Sequence, residues 1–281
     1  MNVRPLEFRT ARSTAEATAL WAEVPDAYYL AGGTDLLIQM RLGRRSPARL
    51  IDLKRIPGLS AIEVRGDGAL SIGACVPLGV IAAHPEVRAR YPLLAECCLA
   101  VGSYPVRNRA TMAGNVCNAS PAADTAAALL ALEAAVEASG PNGDVVLPLA
   151  GFFQGPGKTV LPAGALVTAL VLPAKAAGCR GSFHRLSRRR GVDLATLGVL
   201  VGRHAAGGAG AHRVVLTAVA PTPLRVPAAE ALLDRQGAAA AAQAAEAARA
   251  ACKPIDDVRG TAQYRREMVG VLVARAAAAL G

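Results

Sequence analysis

The stretch Thr111–Leu132, TMAGNVCNASPAADTAAALLAL, constrains this chain more than any other. It joins a turn of small residues to a run of alanine and leucine. In Thr111-Met112-Ala113-Gly114-Asn115 only Met112 has bulk, so a ligand can come close to the backbone N–H groups. Ser120 is a favourable N-cap, Pro121 suits the first helical position, and the apolar run predicts a helix to Leu132. Asp124 falls in the first turn, where the helix dipole favours a carboxylate and ribose hydroxyls would find an acceptor.

A second stretch has the same build. Tyr28–Leu37, YYLAGGTDLL, reads as a short strand, the turn Gly32-Gly33-Thr34, and a helix start capped by Thr34 or Asp35. Glycines between a strand and a helix make an anion site from backbone amides. One such turn is more often structural than functional. Two in one chain point to a ligand with two phosphates. No GxGxxG links a strand to a helix, so a Rossmann nucleotide site has no support. Gly155-Pro156-Gly157-Lys158-Thr159 resembles the end of a P-loop. The first glycine such a loop requires falls at Phe152, however, and Pro162 and Gly164 stand where its helix must begin.

At 281 residues the chain has room for one large or two modest domains. No long apolar run predicts a membrane span. The opening MNVRPLEFRT has no apolar h-region, so a cytoplasmic location is expected. The six cysteines, Cys75, Cys97, Cys98, Cys117, Cys179 and Cys252, form no CxxC pair and read as small buried thiols. An iron–sulfur cluster would have to sit in another chain. The net charge of +10 has no helix-turn-helix, zinc finger or aromatic set beside it, so nucleic acid is not the expected partner. A phosphate-bearing cofactor and acidic partner chains account for the excess. His84, His184, His204 and His212 lack ligand spacing, and no GxSxG marks a hydrolase. Arg188-Arg189-Arg190 reads either as a solvated cluster or as part of a site.

The pattern predicts an α+β fold. Strands at Leu6–Phe8, Tyr28–Ala31 and Arg49–Leu53 alternate with helices opening at the Ser13-Thr14-Ala15-Glu16 capping box and at Asp35. This unit places the glycine turn at a strand's carboxyl end. A strand at Ala69–Ala74, helices at Leu78–Ala83 and Pro92–Val101, a hairpin around Pro141-Asn142-Gly143 and a strand at Ala165–Leu172 follow. Gly178–Gly181 is the expected boundary. Beyond it, antiparallel strands at Ser182–Leu186, Leu194–Gly202 and His212–Ala220, with a glycine-rich turn at Ala205–Ala211, precede helices near Ala228–Arg235, Ala238–Cys252 and Thr261–Ala279. The domains are therefore 1–176, with subdomains of about 1–55 and 56–176, and 177–281.

Eight segments together resemble one family: AGGTDLL at Ala31–Leu37, LIDL at Leu50–Leu53, SIGA at Ser71–Ala74, VRN at Val106–Asn108, TMAGN at Thr111–Asn115, ASPAAD at Ala119–Asp124, SRRRGVDLA at Ser187–Ala195 and DDVRGTAQYRR at Asp256–Arg266. The chain resembles, nearly end to end, the FAD-binding medium subunit of the molybdenum hydroxylases, the family of xanthine dehydrogenase and aerobic carbon monoxide dehydrogenase. The resemblance implies a two-subdomain FAD-binding fold of the PCMH/VAO-like type, followed by three antiparallel strands with packed helices.

It also implies noncovalent FAD. Tyr29, Leu30, Ala31, Gly32, Gly33, Thr34, Asp35 and Leu36 would cradle the pyrophosphate with Thr111, Met112, Ala113, Gly114 and Asn115. Asp124 would serve the ribose side. Val101 would begin the segment reaching the flavin, Val167 and Thr168 would flank it, and Arg185 would take the place of the family's usual lysine at the ring. Asp193 matches the family's acidic position. The expected partners are a molybdenum-containing large subunit and a [2Fe–2S] small subunit in a dimer of heterotrimers, with molybdopterin and the clusters confined to those partners. The residues alone indicate only a two-phosphate ligand. They leave open a self-contained flavin oxidoreductase and an assembly scaffold that has lost FAD.

Overall fold

The computed structural model describes residues 5–189, 191–205 and 210–280. The first unit runs β1 (Glu7–Thr10), α1 (Thr14–Ala22), β2 (Ala27–Leu30), α2 (Leu36–Arg41) and β3 (Arg49–Asp52). Ser13 caps α1 by accepting from the Glu16 N–H at 3.0 Å, but Glu16 reaches back to the Arg12 N–H rather than to Ser13. The strands form a parallel sheet in the order β1-β3-β2. All four residues of the central strand β3 are buried, as a strand covered on both faces requires. Its Arg49 stays charged inside by donating to Glu7, Glu23 and the Leu20 carbonyl.

The second unit opens with β4 (Ile62–Val64) and β5 (Leu70–Gly73). Then come α3 (Leu78–Ala83), α4 (Pro85–Arg90), α5 (Pro92–Ala100), α6 (Tyr104–Arg107), α7 (Met112–Asn118) and α8 (Asp124–Ala131). The strands β6 (Ala135–Gly140), β7 (Gly143–Pro148), β8 (Phe153–Gly155), β9 (Lys158–Thr159) and β10 (Leu166–Leu172) complete it. A five-stranded sheet has the order β4-β5-β10-β6-β7. The expected hairpin at Pro141-Asn142 is β6–β7. The P-loop look-alike is the small β8–β9 hairpin, turned at Gly157 with φ 71°.

The third unit is the antiparallel sheet β11 (Arg180–Leu186), β12 (Leu197–Arg203), β13 (His212–Thr217) and β14 (Leu224–Arg225). It is covered by α9 (Pro227–Gln236), α10 (Ala241–Ala251) and α11 (Ala262–Ala278). The short β14 adds a fourth strand to the three expected. Most of the glycine-rich turn at 205–211, and Arg190 of the arginine cluster, lie outside the described residues.

Cys117 on α7 is exposed, unlike the other five cysteines, and the start of the organising helix also needs correction. Ser120 and Pro121 do not start the helix of the organising stretch; Asp124 does, after Ala123. Thr111 captures the Gly114 N–H first, so a separate helix, α7, forms over Met112–Asn118. The chain reverses at Ala119, which is left-handed with φ 46°. The Pro121 carbonyl then accepts from the Ala218 N–H of the third unit at 2.7 Å. All eight residues of α8 are buried. The helix packs on α5 and α7 and also on β12 and β13. One apolar core accordingly runs from Leu70 and Ile72 through Leu129 to Phe183, Leu200 and Val215.

Candidate cofactor site

The first small-residue stretch meets the residues that lead into the second. Beyond β2 the chain turns at Ala31-Gly32-Gly33. Gly33 has φ 73°, a conformation that suits glycine. Gly32 is held by its neighbour: a Cβ there would lie 2.1 Å from the Arg109 carbonyl oxygen and 3.0 Å from Ala110 Cα. The two loops therefore touch backbone to backbone.

The second loop is braced from behind. The Leu78 N–H donates to the Ala110 carbonyl at 2.8 Å, and Pro77 bridges Thr111. Ala74, just upstream, donates to the Thr168 carbonyl at 3.0 Å, where the β10–β6 ladder is irregular between Val167 and Ala169. The Thr168 carbonyl thus holds the segment that leads to this brace, while the Val167 side chain lies in the core.

Among the described residues, the N–H groups of Gly32, Gly33, Thr34 and Asp35 make no hydrogen bond. They are half-buried donors in a loop without bulk, apart from the exposed Asp35. Such a row of donors is chemically suited to a pyrophosphate, so these residues fit the cofactor that the sequence implies. Met112 and Ala113 are buried and Gly114 is exposed in the first turn of α7. Leu30 is buried at the end of β2, and Leu36 opens α2. Tyr29 is committed elsewhere: its hydroxyl donates to the Gly164 carbonyl of the second unit at 2.7 Å, and burial raises its phenol above the ordinary range.

Asp124 and Arg185, placed separately by sequence reasoning, form one pair. Arg185 Nε donates to Asp124 Oδ1 at 3.2 Å, with side chains 16% and 8% exposed. A second guanidinium nitrogen, Nη2, donates to the Asp193 carbonyl. Nη1 has no partner among the described residues and remains available. Burial pushes the Asp124 acid up to about 6, and the charge of Arg185 offsets only part of that rise. The Asp193 carboxylate turns to Arg188, whose hydrogen bond lowers its pKa. The loops connect to this pair through Asn115, whose Oδ1 accepts from the Thr125 hydroxyl at 2.6 Å.

Val101 is half-buried at the end of α5, and two features fix its position. Arg107 donates to the Val101 and Gly102 carbonyls at 3.1 and 3.3 Å. Gly102 turns with φ 56°. Sequence reasoning noted Arg107 only as part of VRN.

A family model described as the FAD binding domain in molybdopterin dehydrogenase matches residues 4–175, and one described as the CO dehydrogenase flavoprotein C-terminal domain matches 182–280. The chain belongs to this flavoprotein family. It is similar to the carbon monoxide dehydrogenase medium chain of Hydrogenophaga pseudoflava, at 38% identity over 96% of this chain and 95% of that one. The xanthine dehydrogenase FAD-binding subunit of Escherichia coli O157:H7 is 30% identical over 78% and 75% of the two chains. A solved carbon monoxide dehydrogenase from Hydrogenophaga pseudoflava superposes with a TM-score of 0.92 at 39% identity, covering 99% of this chain and 98% of that one. The fold is the family's two-part FAD-binding architecture followed by a small antiparallel-strand domain. The protein is an oxidoreductase flavoprotein subunit.

Proposed function

We propose that this chain carries FAD in a molybdenum hydroxylase complex and passes electrons from [2Fe–2S] centres of a partner subunit to an external acceptor. The observation that carries the reading is the backbone contact at Gly32 between the Ala31–Asp35 loop and Arg109–Ala110, the residues that lead into Thr111. When bound, FAD supplies the junction between one-electron centres and a two-electron acceptor. The chain's residues hold and tune it. Gly32, Gly33, Thr34 and Asp35 offer backbone donors to the pyrophosphate, with Thr111–Asn115 closing the other side. Asp124 accepts from the ribose side while holding Arg185. The free Nη1 of Arg185 would offer a charged donor to the flavin edge, where negative charge develops on reduction. Val101, fixed by Arg107, and Thr168 complete the walls, with Val167 behind them in the core, and Asp193 sets the loop that receives Arg185.

The partners are a molybdenum-containing large subunit and a [2Fe–2S] small subunit, assembled as a dimer of heterotrimers. Names among the relatives, such as the nicotine 6-hydroxylase medium subunit of Paenarthrobacter nicotinovorans, support a multi-chain setting. No helix among the described residues is long and apolar enough to cross a membrane.

Purification under native conditions tests the reading. The expected result is a yellow protein that copurifies with two other chains, with flavin released by acid. Neither phosphate loop contains His or Cys, so no covalent link is expected there. A colourless chain that takes up no FAD overturns the proposal. A yellow chain that purifies alone and turns over an organic substrate favours the self-contained oxidoreductase.

A further inference from the structure

Neither Ala31–Leu36 nor Thr111–Asn115 contains a cationic side chain, and Asp35 adds a negative one. A cation arrives from a third segment. Lys54 follows β3, the middle strand of the parallel sheet, at the carboxyl edge that also carries the glycine loop. Its ammonium donates to the Asp52 carboxylate and, at 3.4 Å, to the Ala31 carbonyl. The same Asp52 oxygen accepts from the Lys54 backbone N–H at 3.3 Å. Asp52 is only 9% exposed, so the lysine is anchored at its base by a fixed carboxylate.

We infer that Lys54 is a positioning residue for the pyrophosphate cradle: anchored on Asp52, it fixes the Ala31–Gly32 peptide so that the Gly32 N–H faces the ligand. The chain has no cis peptide bond among the described residues, and in a trans peptide C=O and N–H point opposite ways. Holding the Ala31 carbonyl toward Lys54 therefore turns the Gly32 N–H to the other side, where it has no partner within the described chain. Asp52 balances the ammonium's charge, so Lys54 acts through its hydrogen bond to the loop carbonyl and not as a free charge. An ordinary half-exposed Lys–Asp pair contributes little to stability. What distinguishes this one is the loop carbonyl it holds.

The inference rests on the reading of the cradle as the FAD pyrophosphate site. Binding to flavin-free protein separates the two. FAD, ADP and adenosine are titrated against wild type, Lys54→Met and Lys54→Arg, with melting temperature recorded for each. In Lys54→Met, FAD and ADP are expected to bind about tenfold more weakly, the value of one well-aligned donor. Adenosine, which has no phosphate, should bind as before. Lys54→Arg should lie within about threefold of wild type, because a guanidinium can still reach the carbonyl. Unchanged FAD affinity in Lys54→Met overturns the inference. So does an equal loss for adenosine, or an arginine variant no better than methionine. Failure of the wild type to bind FAD overturns the proposed function instead.

Discussion

Arg185 has only one guanidinium nitrogen left for a cofactor, since Nε serves Asp124 and Nη2 serves the Asp193 carbonyl. On the proposed placement at the flavin edge, its charge should act on redox potential more than on occupancy, because a positive charge there favours the reduced flavin over the oxidised one. Arg185→Ala is expected to lower the flavin midpoint potential by about 30 mV, the two-electron equivalent of about 1.4 kcal/mol. Asp124→Asn should move the potential the other way, because the carboxylate offsets the arginine. Arg185→Lys should recover most of the loss. Potentiometric titration of the holoproteins reads all three; no movement in either the alanine or the asparagine variant would remove the pair from the flavin's surroundings. The sequence and its family resemblance singled out both residues for the site, but not their pairing. They lie on α8 and β11, and only the docking of the third unit brings them together.

At the level of elements, the glycine loop after β2 was plain in the sequence because a strand, two glycines and a polar cap fall in order. The other stretch was misread at its helix start. Thr111 and Ser120 are both good caps, and local propensity does not rank them. Long-range contacts do: Leu78 and Pro77 hold Ala110 and Thr111 in place, while the Pro121 carbonyl is claimed by Ala218. The contact between loops was invisible for the same reason. It yields a sharp test, since Gly32→Ala adds one methyl group where a carbonyl oxygen stands 2.1 Å away. The loops must separate, so flavin content should collapse in this variant while circular dichroism keeps the native spectrum. Full flavin content would show that the cradle does not depend on their contact.

Across the whole molecule, Glu133 ties the second and third units together. It sits just past α8, with Lys175 on one side at 2.6 Å and Arg213 of β13 on the other. Burial works to raise its acid, but the hydrogen bonds from Lys175 and Arg213 outweigh it and leave the group at about 2, against an ordinary 4.5. A depressed acid stabilises the fold above its unfolded pKa and loses that contribution as the proton returns. The stabilisation should therefore be complete above pH 4.5 and fade as pH falls toward 2. Melting temperatures across that window should fall less steeply for Glu133→Gln than for wild type. Parallel slopes would show that the cluster does not couple the units.

The burial of α8 on every side also has a consequence for synthesis. The helix emerges from the ribosome well before β12 and β13, the strands that cover one of its faces. At ordinary elongation rates that face waits roughly ten seconds for its cover. During that interval an alanine- and leucine-rich surface lies open beside an unfinished nucleotide cradle. The nascent chain is then a natural client for holding chaperones, and stop codons placed between α8 and β13 would yield sticky fragments rather than a working half.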